Sequence, residues 1–232
     1  MTQVDKKRDL ILEAALKIAP FEGWTDLTVK RAAREAGLEI GAQSLYFEKG
    51  LAELLDYWAD KLDSETATQI AALDLSEMRI RDRITQSVLI RLQALSVHEE
   101  AARRASTRLV LPDLAATGLG QLWRSADTIW TAIGDTSTDA NYYSKRTILA
   151  GVIGATLPVW LSDTDPDKLK ARDFLDDRIA NVMSFEKLKG QVRSATKDLP
   201  NPAELLGQLR YGGFEAFSRP KKGRARRRRY SR

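Results

Sequence analysis

Few side chains in this sequence could carry covalent chemistry. Its 232 residues include no cysteine and a single histidine, His98. Without thiols there is no thiolate metal site, no cysteine nucleophile and no disulfide framework. One histidine excludes a His–His zinc site. It also excludes the paired Glu-x-x-His set of a carboxylate-bridged di-iron centre. There is no phosphate-binding glycine loop and no nucleophile elbow. Asp173, Asp176 and Asp177 are spaced as a solvated helix face, and His98 reads as a helix-start or surface residue. The sequence argues against an enzyme and calls for no cofactor and no metal.

What remains is the chemistry of recognition, concentrated in residues 134–161. Gly134, Asp135, Ser137, Thr138 and Asp139 are turn and cap formers, and Thr138 or Asp139 can accept from the first free N–H groups of a following helix. Tyr142, Tyr143, Lys145 and Arg146 then supply about one turn of aromatic and basic residues. The two tyrosines lie about 100° apart on a helix, so they cannot both point inward. One faces solvent or a partner, and Asp139 and Arg146 are placed to pair. Residues 147–161 carry no charge. Such a helix belongs in a core or a bilayer. Its roughly 22 Å falls short of the ~30 Å of a membrane span, and Pro158 weakens that reading further. It is expected to be the buried central helix of a helical domain. Gly151, Gly154 and Ala155 leave room beside it for a lipid tail or another helix.

The elements around this stretch are helical throughout. Residues 5–19 form an amphipathic helix ended by Pro20 and Gly23. Residues 28–36 follow, capped by Thr25, Asp26 or Thr28 and stopped by Gly37 at C′. A short helix is expected over 40–47 and a long one over 51–73. Residues 76–97 place Ile80, Ile84, Val88, Leu92 and Leu95 on one stripe, with Arg79, Arg81, Arg83 and Arg91 largely off it. Residues 98–110 continue as helix, and 113–133 hold Trp123 and Trp130, with Gly118 and Gly120 casting doubt on continuity. A helix from Pro166 to about residue 185 turns Leu169, Phe174, Leu175, Ile179, Val182 and Met183 inward. Residues 190–202 read as a flexible linker. Residues 203–217 are apolar enough to anchor at a surface. The fold class is all-α, with no strand-like alternation.

Charge divides the chain. Residues 219–232 hold nine of the 37 basic residues and no acidic one, so the rest is mildly acidic. A basic tail after Leu205, Leu206, Leu209, Phe214 and Phe217 suits an anionic membrane surface, with Arg226, Arg227, Arg228 and Arg229 near the lipid headgroups. The rival partner is nucleic acid. Tyr230 is the lone aromatic among the basic residues, which argues against a stacking platform. The N-terminus does not read as a signal or transit sequence.

The stretches ILEAALKIAPFEGWTDLTVKRAAREAGL and SLYFEKGLAELL resemble the N-terminal domain of TetR-type regulators. The expected third helix, residues 39–44, contains no Lys or Arg. Phosphate neutralisation dominates DNA affinity, so the sequence disfavours DNA as a partner. The longer stretch WTAIGDTSTDANYYSKRTILAGV, with FLDDRIANVM, resembles the ubiquinone-biosynthesis accessory family numbered nine in the coenzyme Q series, in a bacterial form. That resemblance implies a TetR-like helical bundle: a helix-turn-helix-like domain over 1–48, a lipid-binding and dimerisation domain over 49–189, the linker over 190–202, and the amphipathic segment and tail over 203–232. It implies a homodimer that binds an isoprenoid quinone precursor and presents it to a di-iron hydroxylase. It puts the hydroxylase contact at Trp130, Asp139, Tyr142, Tyr143 and Arg146, with Tyr142 standing where animal members carry tryptophan. Ile148, Val152, Ala155, Leu157 and Phe174 are expected to line the lipid pocket. A cytoplasmic protein, peripheral on the inner membrane, is expected. The alternative is a TetR-type regulator with a hydrophobic effector.

Overall fold

Several helices in this chain begin at a side-chain cap or stop at a glycine that satisfies free backbone groups. The structure, a computed structural model, describes residues 2–195, with side chains described as far as Val182. Among these residues there are nine α-helices, one 3-10 turn and no strand. Met1–Met183 forms one compact unit and Ser184–Arg232 another. The site described below lies in the first.

Helix α1 (Gln3–Glu22) opens with a capping box between Thr2 and Asp5. Pro20 does not end it, as the sequence suggested; Pro20 sits in the last turn, and Gly23 closes the helix by donating to the Ala19 carbonyl. Helix α2 (Asp26–Glu35) is capped by Thr25 and Thr28, each hydroxyl accepting from the other residue's N–H. Its C-terminus is a Schellman motif: Leu38 N–H donates to the Ala33 carbonyl across Gly37, whose φ is +75°. Helix α3 is only Gln43–Tyr46. Gly41, at φ +89°, holds the chain out of helical conformation until then, which is why 40–47 is not one helix. Helix α4 (Leu51–Ala71) buries Leu54, Leu55, Trp58 and Leu62.

Helix α5 is Ile80–Gln93, starting later than expected because Asp74 captures both the N–H and the hydroxyl of Ser76 in a turn. It ends in the 3-10 turn Ala94–His98, and α6 is Glu99–Leu109. Ile80 is exposed while Arg91 is buried, the reverse of the expected stripe. Burial of Arg91 follows from its ion pair with Asp63 across α4 and α5. Helix α7 (Ala115–Ala132) runs unbroken through Gly118 and Gly120. Gly118 is needed there: a Cβ would come within 3.0 Å of the Leu109 carbonyl oxygen at the end of α6.

Helix α8 (Ala140–Ser162) contains Pro158 and packs along α7. It is not buried on all sides. Leu149, Val152, Ile153, Thr156, Trp160 and Leu161 face the core, whereas Gly151, Ala155 and Pro158 are exposed. Helix α9 (Leu169–Ala195) starts three residues after Pro166, because Lys168 adopts φ 54° and the Asp163 carboxylate accepts from Ala171 N–H inside the new helix. Leu169 is therefore exposed, while Leu175 and Ile179 are buried. Residues 190–195 are helical and not linker. The side chain of Met183, the rest of the linker, the apolar segment and the basic tail lie outside the described residues.

The helix-turn-helix-like start is fastened to the rest by Trp24. Its ring is buried and stacks on Trp58 at 5.6 Å, and its Nε1–H donates to the Ala101 carbonyl of α6 at 2.9 Å. Trp24→Phe keeps most of the apolar contact but removes this cross-link to α6, and fills the indole's volume less completely. The variant is expected to lose about 0.5–1.5 kcal/mol of stability in urea unfolding; an unchanged midpoint would show that the bond is dispensable.

Candidate functional site

The turn before α8 gathers charge at one point. Asp139 is the N-cap, accepting from Asn141 N–H at 2.9 Å. It does not pair with Arg146. That role falls to two carboxylates the sequence did not single out as partners. Arg146 Nε donates to Asp127 of α7 at 2.5 Å, and its terminal nitrogen donates to Asp135 at 3.2 Å. The guanidinium lies 3.5 Å from the centre of the Tyr142 ring, and the Tyr142 hydroxyl donates to Asp127. Arg146 is thus 2% exposed, with its charge matched on both sides. Burial opposes that charge, but the two carboxylates outweigh it and raise the pKa above the ordinary arginine value.

Asp135 is the hub. One of its oxygens accepts from Lys145 Nζ at 2.7 Å and from Ser137 Oγ at 2.8 Å, and the other accepts from Arg146. Trp130 Nε1 donates to the Lys145 carbonyl, and the Lys145 ammonium lies 5.1 Å from the Trp130 ring centre. Of the five residues expected at a partner surface, Trp130 and Arg146 are buried, Tyr142 is half-buried, and Asp139 and Tyr143 are exposed. Tyr143 is 64% exposed, stacked on Trp123 at 6.3 Å and edge-on to Tyr142 at 5.1 Å. The arrangement is a rigid polar base carrying one flat aromatic outward. No local spacing reveals Asp127 or Trp123, since both reach the patch from the neighbouring helix.

The second feature is a cavity of about 360 Å³ enclosed by α4 to α8. Leu55, Trp58, Leu92, Leu95, Leu122 and Ile153 make most of its wall apolar, with Arg91, Ser106, Gln121 and Ser125 as polar exceptions. Val110, Leu119 and Pro158 also line it while exposed to solvent, at 77% and 70% for the first two, and they mark its mouth. Of the residues expected to line a lipid pocket, Leu157 does so. Val152 is packed in the core, Ile148 is half-buried, Ala155 is exposed, and Phe174 lies under the Arg178 guanidinium. None of these four borders the cavity. The hollow is a joint property of five helices, α4 to α8, and no described residue of α9 lines it. Helical periodicity along one segment could not locate it. The residues expected at a membrane, Leu205, Leu206, Leu209, Phe214, Phe217 and Arg226 to Arg229, lie outside the described residues.

Asp135 links this geometry to pH. Burial alone would raise its carboxyl, but the hydrogen bonds from Lys145, Ser137 and Arg146 outweigh it and hold the pKa at about 2. A depressed carboxyl contributes stability that is full above the unfolded value and is lost as pH falls through the folded one. Asp135→Asn is therefore expected to cost about 1–2 kcal/mol at neutral pH, allowing for screening at the edge of the site. It should also flatten the stability curve between about pH 4 and 2. Parallel curves for the two proteins across that window would rule this role out.

Comparison with known proteins follows the same outline. The COQ9 family model matches residues 115–186, which take in α7, α8 and the start of α9. The chain is 32% identical over 196 residues to "Ubiquinone biosynthesis protein COQ9, mitochondrial" of Rattus norvegicus, covering 82% of this chain and 62% of that protein. The corresponding Homo sapiens protein is 30% identical, over 82% of this chain and 61% of its own length. The chain therefore spans about three-fifths of the curated relatives it matches. Among solved structures, a TetR transcriptional regulator from Nitrosomonas europaea ATCC 19718 superposes with a TM-score of 0.60 at 20% identity, covering 76% of this chain and 97% of that one. That likeness establishes the all-α TetR-like architecture. The chain is a homologue of the COQ9 proteins over most of its length, on a TetR-like fold.

Proposed function

We propose that this chain is a non-enzymatic lipid-binding accessory protein of ubiquinone biosynthesis. It takes a polyprenylated quinone precursor from the membrane and offers it to the di-iron hydroxylase of the pathway. The observation that carries the reading is the apolar cavity of about 360 Å³ with exposed apolar residues at its mouth. Leaving a bilayer costs an isoprenoid ~0.8 kcal/mol per CH₂. An apolar chamber opening beside the membrane lowers that cost. Helices α7 and α8 run from the cavity wall to the Tyr143 patch, so ligand and partner surfaces share one pair of helices.

The hydroxylase would dock on Tyr143 with Trp123, backed by Tyr142 and Asp139, while Trp130 and Arg146 hold the patch in shape. Tyrosine and tryptophan are enriched among residues that dominate binding energy at interfaces. Homodimerisation would use the exposed small face of α8, Gly151 and Ala155, together with α9. Peripheral attachment to the cytoplasmic face of the inner membrane would fall to the C-terminal apolar segment and its arginines. Among the described residues no helix is long and apolar enough to cross a membrane.

The alternative, a DNA-binding regulator with a hydrophobic effector, is disfavoured by α3. Its four residues carry no charge, and the large exposed side chains are Leu45 within it and Ile40 in the turn before it. Such a surface gains nothing from phosphates.

Two measurements test the proposal. Organic extraction of the purified protein, followed by mass spectrometry, is expected to release an isoprenoid quinone precursor. Protein from precursor-making cells that yields no lipid would count against it. Tyr143→Ala, at an exposed position, is expected to leave stability within about 0.5 kcal/mol of the parent and to weaken hydroxylase binding about tenfold or more. Unchanged binding would remove the patch from the interface. Arg146→Ala is the poorer probe, because it leaves Asp127 and Asp135 without their buried counter-charge.

A further inference from the structure

The cavity has one polar anchor that the proposed carrier role does not require. Arg91 and Ser125 reach an otherwise apolar stretch of wall, and Asp63 lies behind them, 5% exposed. Asp63 Oδ1 accepts from Arg91 Nε at 2.6 Å and from Ser125 Oγ at 2.7 Å. A guanidinium carries five N–H donors. The Asp63 bond uses one of them, and the four on the terminal nitrogens donate to no described residue. Those nitrogens are not among the sealed polar atoms that lack a partner, although Asp63 Oδ2 is. Arg91 is thus more than nine-tenths buried, borders an apolar chamber and keeps terminal donors that no described residue takes up. Water can meet such donors in an empty chamber. A ligand that displaces the water must bring an oxygen of its own.

Charge and size narrow the ligand. Asp63 already neutralises Arg91, so an anionic head would leave a net buried charge, whereas a neutral carbonyl would not. At about 30 Å³ for each water-sized group, 360 Å³ holds roughly 12 groups, about one substituted ring and little of a long tail. Ser125 stands six residues along α7 from Leu119 at the mouth, a depth of roughly 9 Å. We propose that this cavity is a headgroup pocket: it takes the neutral, oxygen-bearing ring of an amphipathic lipid. A carbonyl oxygen lies on the terminal N–H groups of Arg91, and the hydrocarbon tail leaves past Leu119 and Val110. The inference rests on the lipid-binding reading above and adds the chemical class of the bound end and its orientation. Handing the ring to a partner then means releasing it from Arg91.

The test uses the full chain and three probes of matched shape: hexylbenzene, hexyl-para-benzoquinone and para-hexylbenzoate, titrated by calorimetry. The quinone is expected to bind about tenfold or more tightly than hexylbenzene, as for a hydrogen bond to a charged group, and more tightly than the benzoate. In Arg91→Met with Asp63→Leu, an apolar replacement of the whole pair, the quinone should fall to within about threefold of hexylbenzene while hexylbenzene binds as before. Arg91→Lys is the second variant, because an ammonium turned to Asp63 offers the ligand no planar fork. It should lose the same preference. Equal binding of all three probes to the parent, tightest binding of the benzoate, or a preference that survives both variants overturns the headgroup assignment and leaves the lipid-binding reading standing. Failure of every probe to bind overturns both.

Discussion

A guanidinium buried at the second turn of α8 is the constraint on which the rest of this molecule depends. An unpaired charge in that position would cost several kcal/mol. Arg146 is tolerable there only because Asp127 comes from α7 and Asp135 from the connecting turn. Satisfying one cation therefore fixes three segments at once. It sets how α8 leaves the turn, how α8 lies against α7, and where Tyr142 and Tyr143 sit. Those two helices also form one side of the cavity. The aromatic patch and the apolar cavity thus inherit their geometry from the same ion network.

The apolar part of α8 is the second determinant. With Gly151, Ala155 and Pro158 turned outward and Val152, Ile153 and Trp160 turned inward, the helix is two-faced without any charged residue to mark the difference. Side-chain volume makes the distinction, not polarity. Small residues leave a flat outer strip on which another backbone can lie close, while the bulky ones key α8 into α5 and α7.

The helical class, the caps of α2 and the Gly37 stop were legible in the residues, because capping and left-handed glycine are local effects. So was the divergence of Tyr142 and Tyr143, which follows from helical pitch, although only the structure shows that Tyr143 is the outward one. Errors arose where tertiary demands outweighed local ones. Arg91 was assigned outward by the stripe, yet Asp63 on another helix draws it in. The 147–161 run was expected to be buried all round, since hydropathy cannot separate a core face from a flat outer face of small residues. Glycines 118 and 120 suggested a break, but the close approach of α6 requires a glycine inside an intact helix. Most of the cavity wall was missed, since it exists only where five helices meet. The polar patch was half legible. Its residues on α8 could be named from the sequence, but the carboxylates that hold Arg146 could not.

The tryptophan pair near the centre carries a consequence of its own. Trp58 borders the cavity, and its ring stacks on Trp24, whose indole is tied to the backbone of α6 just ahead of the cavity-lining Ala102. Indole emission is sensitive to packing, to neighbouring rings and to water. An occupant that dries or shifts the Trp58 side of the chamber perturbs a coupled chromophore pair that reaches into the helix-turn-helix-like end. The protein therefore carries an intrinsic optical gauge of whether its chamber is filled, and no label needs to be attached.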